Sequence, residues 1–296
     1  MFIHLWDVHP DFIPPPPYDR MFDPDYTGSV TSRDFLFSSE VTAATPKRDI
    51  EHIIALYDGE IAWTDLHVGK ILDDLDSSKL RDNTIVMLLS DHGEEFFEHG
   101  SKGHRHTLFG ELIHIPLIIR YPGHIPAGRR FSEQVRMIDV TPTLVELAGA
   151  PPPTDVMGQS LVPLLNGGSL RADNLAVSEL YSLGRRLRSF RRPDRKMIFD
   201  ENAKKAFFFD LRDDPGEIKG LSDLSNPLVQ AMLREAQDMT RRLIEFRDRM
   251  NTAAVPAELP SKVRDRLRSL GYVGADPENL ATSQGAPQQE QPQTPP

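Results

Sequence analysis

Cysteine is absent from the whole of the 296-residue chain. That excludes disulfides, thiolate metal sites and cysteine nucleophiles at once. No apolar run approaches the ~18 residues that a membrane-spanning helix requires. The opening residues, Met1-Phe2-Ile3-His4-Leu5-Trp6-Asp7, lack the basic start and small-residue cleavage site of a secretory leader. Positive charge is in deficit, with 34 Lys and Arg against 44 Asp and Glu and a net charge of −10. A chain this acidic does not live by gripping nucleic acid or anionic lipid over a broad face, so no nucleic-acid partner is expected. Any anion it handles must meet a metal ion or histidines that overcome the global field locally. What is present is ordinary globular material, 39% hydrophobic and 26% charged. At roughly 150 residues per domain, the length suggests two domains, or one large α/β domain with a small appendage.

Patterning along the chain points to an open α/β arrangement. Phe2 to Trp6 is short, apolar and aromatic, as a buried strand would be. A proline-rich loop with little periodicity follows to about residue 45. Thr45-Pro46 predicts a helix start. Ile50, Ile53, Ile54, Tyr57, Ile61, Val68, Ile71, Leu72 and Leu75 then recur at three- and four-residue spacing, predicting an amphipathic helix that ends near Asp76-Ser77-Ser78. Thr84 to Leu89 predicts a parallel strand buried on both faces, and Ile115 to Tyr121 a second apolar strand. Asp139 to Leu147 predicts a short helix. Beyond about 175, Met197-Ile198-Phe199 and Ala206 to Phe209 predict antiparallel strands, with the phenylalanine run in the core. Asn226-Pro227 opens a helix to about 250. From Thr282 the composition of Gln, Pro, Ala and Ser predicts disorder.

The densest chemistry lies in Asp91-His92-Gly93-Glu94-Glu95, followed by Glu98, His99, Lys102, His104, Arg105 and His106. Five of the ten histidines fall between 92 and 114. An aspartate and a neutral imidazole leaving a strand end side by side can both ligate one divalent cation. Gly93 lets the backbone turn away and leave room for the ion. Histidines a dozen residues on can return over the same strand end to meet an anion held there. Read more simply, Glu94, Glu95 and Glu98 form a solvated acidic loop. His4 and His9 bracket Trp6-Asp7 at another strand end. The arginine run Arg185, Arg186, Arg188, Arg191, Arg192 and Arg195 reads as a solvated face or an anion-facing rim.

Five ordered segments resemble the sulfatase family of the alkaline phosphatase superfamily. They are His4 to His9 with its proline loop, Tyr57-Asp58-Gly59-Glu60-Ile61-Ala62, Asn83 to Glu95 around Ser90-Asp91-His92-Gly93, His104 to Arg120, and Phe209 to Glu217. Leu267 to Val273 is similar to tails of bacterial members. The resemblance implies a mixed, mostly parallel sheet flanked by helices, with a small C-terminal α+β subdomain. It places the catalytic α/β part at 1–175, the subdomain at 176–281 and a disordered tail at 282–296. It implies that Asp91 and His92 are ligands of a catalytic divalent cation. Relatives with Asn at the second position bind Ca²⁺, whereas His92 favours Mn²⁺ or Zn²⁺. His9 matches the residue that contacts sulfate or phosphate, His104 the general acid on the leaving-group side, and His106 is close enough to compete for that role.

In the family mechanism a metal-held nucleophile attacks sulfur or phosphorus and the covalent intermediate is hydrolysed. Relatives supply that nucleophile from a Cys/Ser-x-Pro-x-Arg motif upstream, together with two further aspartates. This sequence has no such motif, and Ser32-Arg33 lacks the proline. The chain is therefore expected to be the C-terminal part of a sulfatase acting on small-molecule or glycan sulfate esters. Relatives are usually exported. Two alternatives stand beside that reading. One is phosphodiester or phosphonate hydrolysis, or phosphoethanolamine transfer, on the same fold. The other is an inactive remnant serving as a binding or structural module.

Overall fold

The computed structural model describes residues 1–182, 184–250 and 260–263. Two compact units divide the chain, Met1–Arg242 and Leu243–Pro296. The first holds every element that bears on the site. The described part of the second is the end of one helix, where Arg249 lies over the Phe246 ring, and a helical turn at 261–263.

Helix α1 spans Lys47–Ser77, with Pro46 rather than Thr45 at its N-cap. Its apolar stripe packs into a cluster of Phe12, Phe35, Val41 and Ile53, joined by Tyr57 and Phe96. The proline-rich loop, aperiodic in sequence, is thus pinned by aromatic contacts. Phe12 stands 5.5 Å from Phe35, 5.1 Å from Tyr57 and 5.8 Å from Phe96, ring centre to ring centre, spacings at which aromatic pairs add to simple burial. Lys102 closes the loop from the other side. Its ammonium donates to the carbonyls of Ser38 and Val41 at 2.6 and 2.7 Å.

After α1, strand β1 (Val86–Leu89) leads to the acidic and histidine-rich segment. There β2 (Glu95–Phe96) and β3 (Lys102–Gly103) form a small hairpin. Helix α2 (Gly110–Ile113) and strand β4 (Leu117–Arg120) follow. Then come α3 (Val140–Leu147) and α4 (Val162–Leu165). Strands β5 (Ala176–Ser182), β6 (Arg185–Arg192), β7 (Arg195–Asp200) and β8 (Lys205–Asp210) make an antiparallel meander in that order. Helix α5, Pro227–Arg249, comes next.

The α/β class and the helix positions agree with the sequence patterning, and three local expectations are corrected. Phe2 to Trp6 forms no strand. Among the described residues no ladder includes it, and Phe2 is 88% exposed; apolar composition alone does not make a strand, which needs a neighbour to pair with. Thr84 to Leu89 is not a doubly buried parallel strand. Val86–Leu89 pairs antiparallel with Leu117–Arg120, Val86 opposite Arg120 and Leu89 opposite Leu117. Ile118 on that ladder is 61% exposed. All described ladders are antiparallel, because an apolar run reports burial but not the direction of its partner. Finally, Phe208 and Phe209 are core while Phe207 is 39% exposed; alternation sets Phe208 and Phe209 on opposite faces, and Phe209 is covered by a cluster with Leu108, Leu187 and Ile198. Residues 264–296, which include the Leu267 to Val273 segment and the tail expected to be disordered, lie outside the described residues. Among the described residues no helix is long and apolar enough to cross a membrane.

Candidate active site

The segment leaving β1 places Asp91 and His92 at the strand end. The His92 ring nitrogen Nδ1 lies 2.8 Å from the Gly93 carbonyl. A carbonyl only accepts, so Nδ1 carries the proton and Nε2 of the neutral ring carries the lone pair. That Nε2 faces Asp91 Oδ2 at 3.9 Å, with the Asp91 side chain 67% exposed. Gly93 is required for a reason other than a sharp turn. A Cβ there would stand 2.0 Å from the Glu111 carbonyl oxygen, and the Gly93 amide donates to Leu112 O at 2.9 Å. The glycine lets α2 dock against the strand end.

Hairpin β2–β3 folds the later histidines back over this point. The His104 ring lies 4.4 Å from His92 and 5.4 Å from His9. His104 Nδ1 is 3.2 Å from both oxygens of Glu94, and both side chains are nearly buried. The carboxylate thus takes the Nδ1 proton and turns Nε2 of His104 away from itself. His9 is fixed in the same way, with Nδ1 2.8 Å from the Pro10 carbonyl. Burial is the main cause that holds the His9 pKa below the ordinary imidazole value, with His104 and His92 acting in the same direction.

His106 sits beside this trio and faces elsewhere. Its Nε2 is 2.7 Å from Oε2 of Glu95, a fully buried carboxylate. Burial alone would lower the His106 pKa, but the Glu95 hydrogen bond, the His104 backbone and the Glu95 charge together outweigh it and the net shift is upward. Burial would likewise raise Glu95. The bonds from His106 and from the Ser101 and His99 amides reverse that and lower it. Arg185, the first of the arginine run, donates to the His106 carbonyl at 3.0 Å.

The expectation that Glu94 and Glu95 form a solvated acidic loop is therefore overturned. Both are buried, each against a histidine ten or eleven residues later. The sequence held the signal: two adjacent acids, an intervening Gly-containing hairpin, then two histidines at matching separation. Only Glu98 of the three is exposed.

Glu95, His99 and Glu111 also bring ligand atoms within 4.8 Å of one another. His99 is poorly suited to a cation there. Nδ1 faces Glu111 at 2.6 Å, while Nε2 faces the Gly216 and Glu217 carbonyls at 3.1 and 3.2 Å, so both ring nitrogens are turned to acceptors. The ring stacks on Phe109 at 3.6 Å and ties the loop to the turn after β8. Ser32 is buried and donates its hydroxyl to the Phe12 carbonyl, an arrangement for holding a loop.

Comparison with known proteins gives the family of the chain. The sulfatase family model matches residues 1–150, and that of the N-sulphoglucosamine sulphohydrolase C-terminal region matches 97–248. Arylsulfatase K of Canis lupus familiaris is 36% identical over 148 residues, covering 50% of this chain and 26% of the relative. Steryl-sulfatase of Homo sapiens is 33% identical over 153 residues, covering 47% and 25%. A protein solved with its substrate D-glucosamine-2-N,6-O-disulfate superposes with a TM-score of 0.60 at 28% identity, over 68% of this chain and 42% of that one. The phosphonate monoester hydrolase of Agrobacterium radiobacter shares the fold, with a TM-score of 0.63 at 24% identity over 81% and 55%. The chain spans about a quarter of the length of the curated relatives it matches most strongly. With a family model covering half its residues and the motifs in order, the chain belongs to the sulfatase family.

Proposed function

We propose that this chain carries the cation-binding and leaving-group side of a sulfate ester hydrolase acting on small-molecule or glycan esters. The observation that supports it most is the convergence of His9, His92 and His104 beside Asp91 at one strand end, in a chain of this family.

The donor set fits a divalent cation. Asp91 offers a carboxylate, and the Gly93 carbonyl holds His92 in the tautomer whose Nε2 lone pair can bind metal. Asp91 and His92 would hold the ion, and the imidazole favours Mn²⁺ or Zn²⁺ over Ca²⁺. When bound, such an ion supplies positive charge and Lewis acidity toward ester oxygens. The remaining work belongs to this chain. Glu94 accepts the Nδ1–H of His104 and fixes the ring; when Nε2 also carries a proton, that second proton is the one to be given to a departing alkoxide, leaving the neutral Nδ1–H ring behind. The His9 ring stands 5.4 Å from that of His104, and an anionic ester beside it works against the burial that lowers its pKa. His106 acts from behind, its Nε2 held by Glu95. His92 in place of an oxygen ligand also favours a phosphoester-cleaving reading on the same residues.

Calorimetric titration with Mn²⁺, Zn²⁺ and Ca²⁺ tests the site. Asp91→Ala is expected to weaken binding at least about tenfold, or 1.4 kcal/mol. Equal binding by both proteins would sink the assignment. Turnover of an aryl sulfate against an aryl phosphodiester by the protein purified from its own source then separates the two chemistries. Turnover of neither leaves a binding module.

A further inference from the structure

Beneath the His9 loop lies a carboxyl group to which the proposed chemistry gives no part. Glu60, on α1, is 6% exposed, and its Oε1 accepts the Ile13 amide at 2.7 Å from 47 residues away. Its other oxygen, Oε2, is buried without a hydrogen-bond partner among the described residues. A buried carboxyl so poorly matched costs stability, so a purely structural position would be better filled by an apolar side chain. Burial pushes its pKa up to about 7. Asp7 and Asp11 push the same way, while the backbones of Ile13 and His9 oppose. The groups that shift it, Asp7, His9, Asp11 and Ile13, belong to the one short stretch that carries His9.

A second observation comes from its neighbour. A Cβ on Gly59 would stand 2.5 Å from the Tyr18 carbonyl oxygen and 2.9 Å from Pro14 Cγ. Only glycine lets the proline loop lie this close to the helix. Gly59 and Glu60 together make a socket in which residues 13–18 rest, immediately after the turn that orients His9 through Pro10.

We infer that Glu60 is a positioning residue for His9, clasping the His9–Ile13 loop from the helix side and so setting where the His9 imidazole stands against His104. The inference rests on the reading that His9 meets the substrate. It predicts that the socket is felt at one histidine and not at the others, which a general packing role would not produce.

The test uses the full chain with ¹⁵N-labelled histidine, and His9 assigned through His9→Gln. In Glu60→Leu the Nδ1 proton that His9 gives to Pro10 is expected to exchange at least tenfold faster. His99 and His106, held by Glu111 and Glu95, should keep their signals. Glu60→Gln retains an acceptor for Ile13 and should leave His9 near its original state. Unchanged His9 resonances in a folded Glu60→Leu protein overturn the inference. Should that variant unfold, Glu60→Asp replaces it: a shorter carboxylate must disturb His9 selectively, and an undisturbed His9 again overturns the idea. Failure of the proposed function shows elsewhere, as no Zn²⁺ effect on the His92 ring, and leaves the His9 comparison readable.

Discussion

Two stretches of this chain are dense in charge, and the fold treats them in opposite ways. Between 91 and 106 the acids turn inward, Glu94 and Glu95 each buried against a histidine. Along β6 and its turn into β7 the arginines stay at or near the surface, and each of several meets an acid on a neighbouring element. Arg188 reaches Glu179, and Arg192 and Arg195 share Glu235. The first arrangement fixes tautomers at a strand end. The second staples α5 to the meander. Charge density alone does not separate a site from a solvated face. Burial of the charge, and the kind of partner it finds, does.

Adjacent residues put that contrast in miniature. Arg195 is partly exposed, whereas Lys196 is fully buried with its ammonium 2.7 and 2.9 Å from the Glu217 carboxylate. Burial lowers the Lys196 pKa, with Glu217 opposing. Lys196→Met strands a buried carboxylate and is expected to cost about 3–5 kcal/mol in urea unfolding. Lys196→Met combined with Glu217→Leu should recover much of that loss. A single variant as stable as the parent would erase the distinction drawn here.

Glu95→Gln should cost less, about 1–3 kcal/mol, and its pH dependence sharpens the point. His106 has a raised folded value, so its contribution is full below the ordinary 6.5 and fades as pH rises through that raised value. Glu95 has a lowered folded value, so its contribution is full above the ordinary 4.5 and fades as pH falls through the lowered one. The gap between parent and variant is therefore expected to be widest between pH 4.5 and 6.5. Thermal unfolding across pH 3 to 9 would show it, and a flat difference would refute the pairing. The smallest effect belongs to the surface set. Arg188→Ala is expected to change stability by less than about 1 kcal/mol and less still in high salt.

Much of the scaffold is legible from residue spacing. The apolar stripe from Ile50 to Leu75 marks α1, and Met197 to Phe199 with Ala206 to Phe209 marks β7 and β8 of the meander. Strand β6 is harder to see, because its buried residues Leu187, Ser189 and Phe190 are interleaved with arginines whose charges are answered only in three dimensions. Pairing direction at Val86–Leu89 depends on Leu117–Arg120 and is not encoded locally. At the site, Asp91, His92, His9 and His104 stand out by residue type and resemblance. Glu60 does not, because nothing in Tyr57-Asp58-Gly59-Glu60 distinguishes a solvent-facing acid from one beneath a loop 47 residues earlier.

The grip of His99 on the Gly216 and Glu217 carbonyls spans 117 and 118 residues of chain. During synthesis at about 5–20 residues per second, the loop bearing the histidines emerges on the order of ten seconds before the turn that anchors it. Until then the His99 ring has Glu111 and Phe109 on its own side but no carbonyl at Nε2. The ribosome thus delivers the histidine-rich corner of this protein early and one of its fastenings late. The maturing chain has an interval in which His99 is present but not yet fastened to its distant turn.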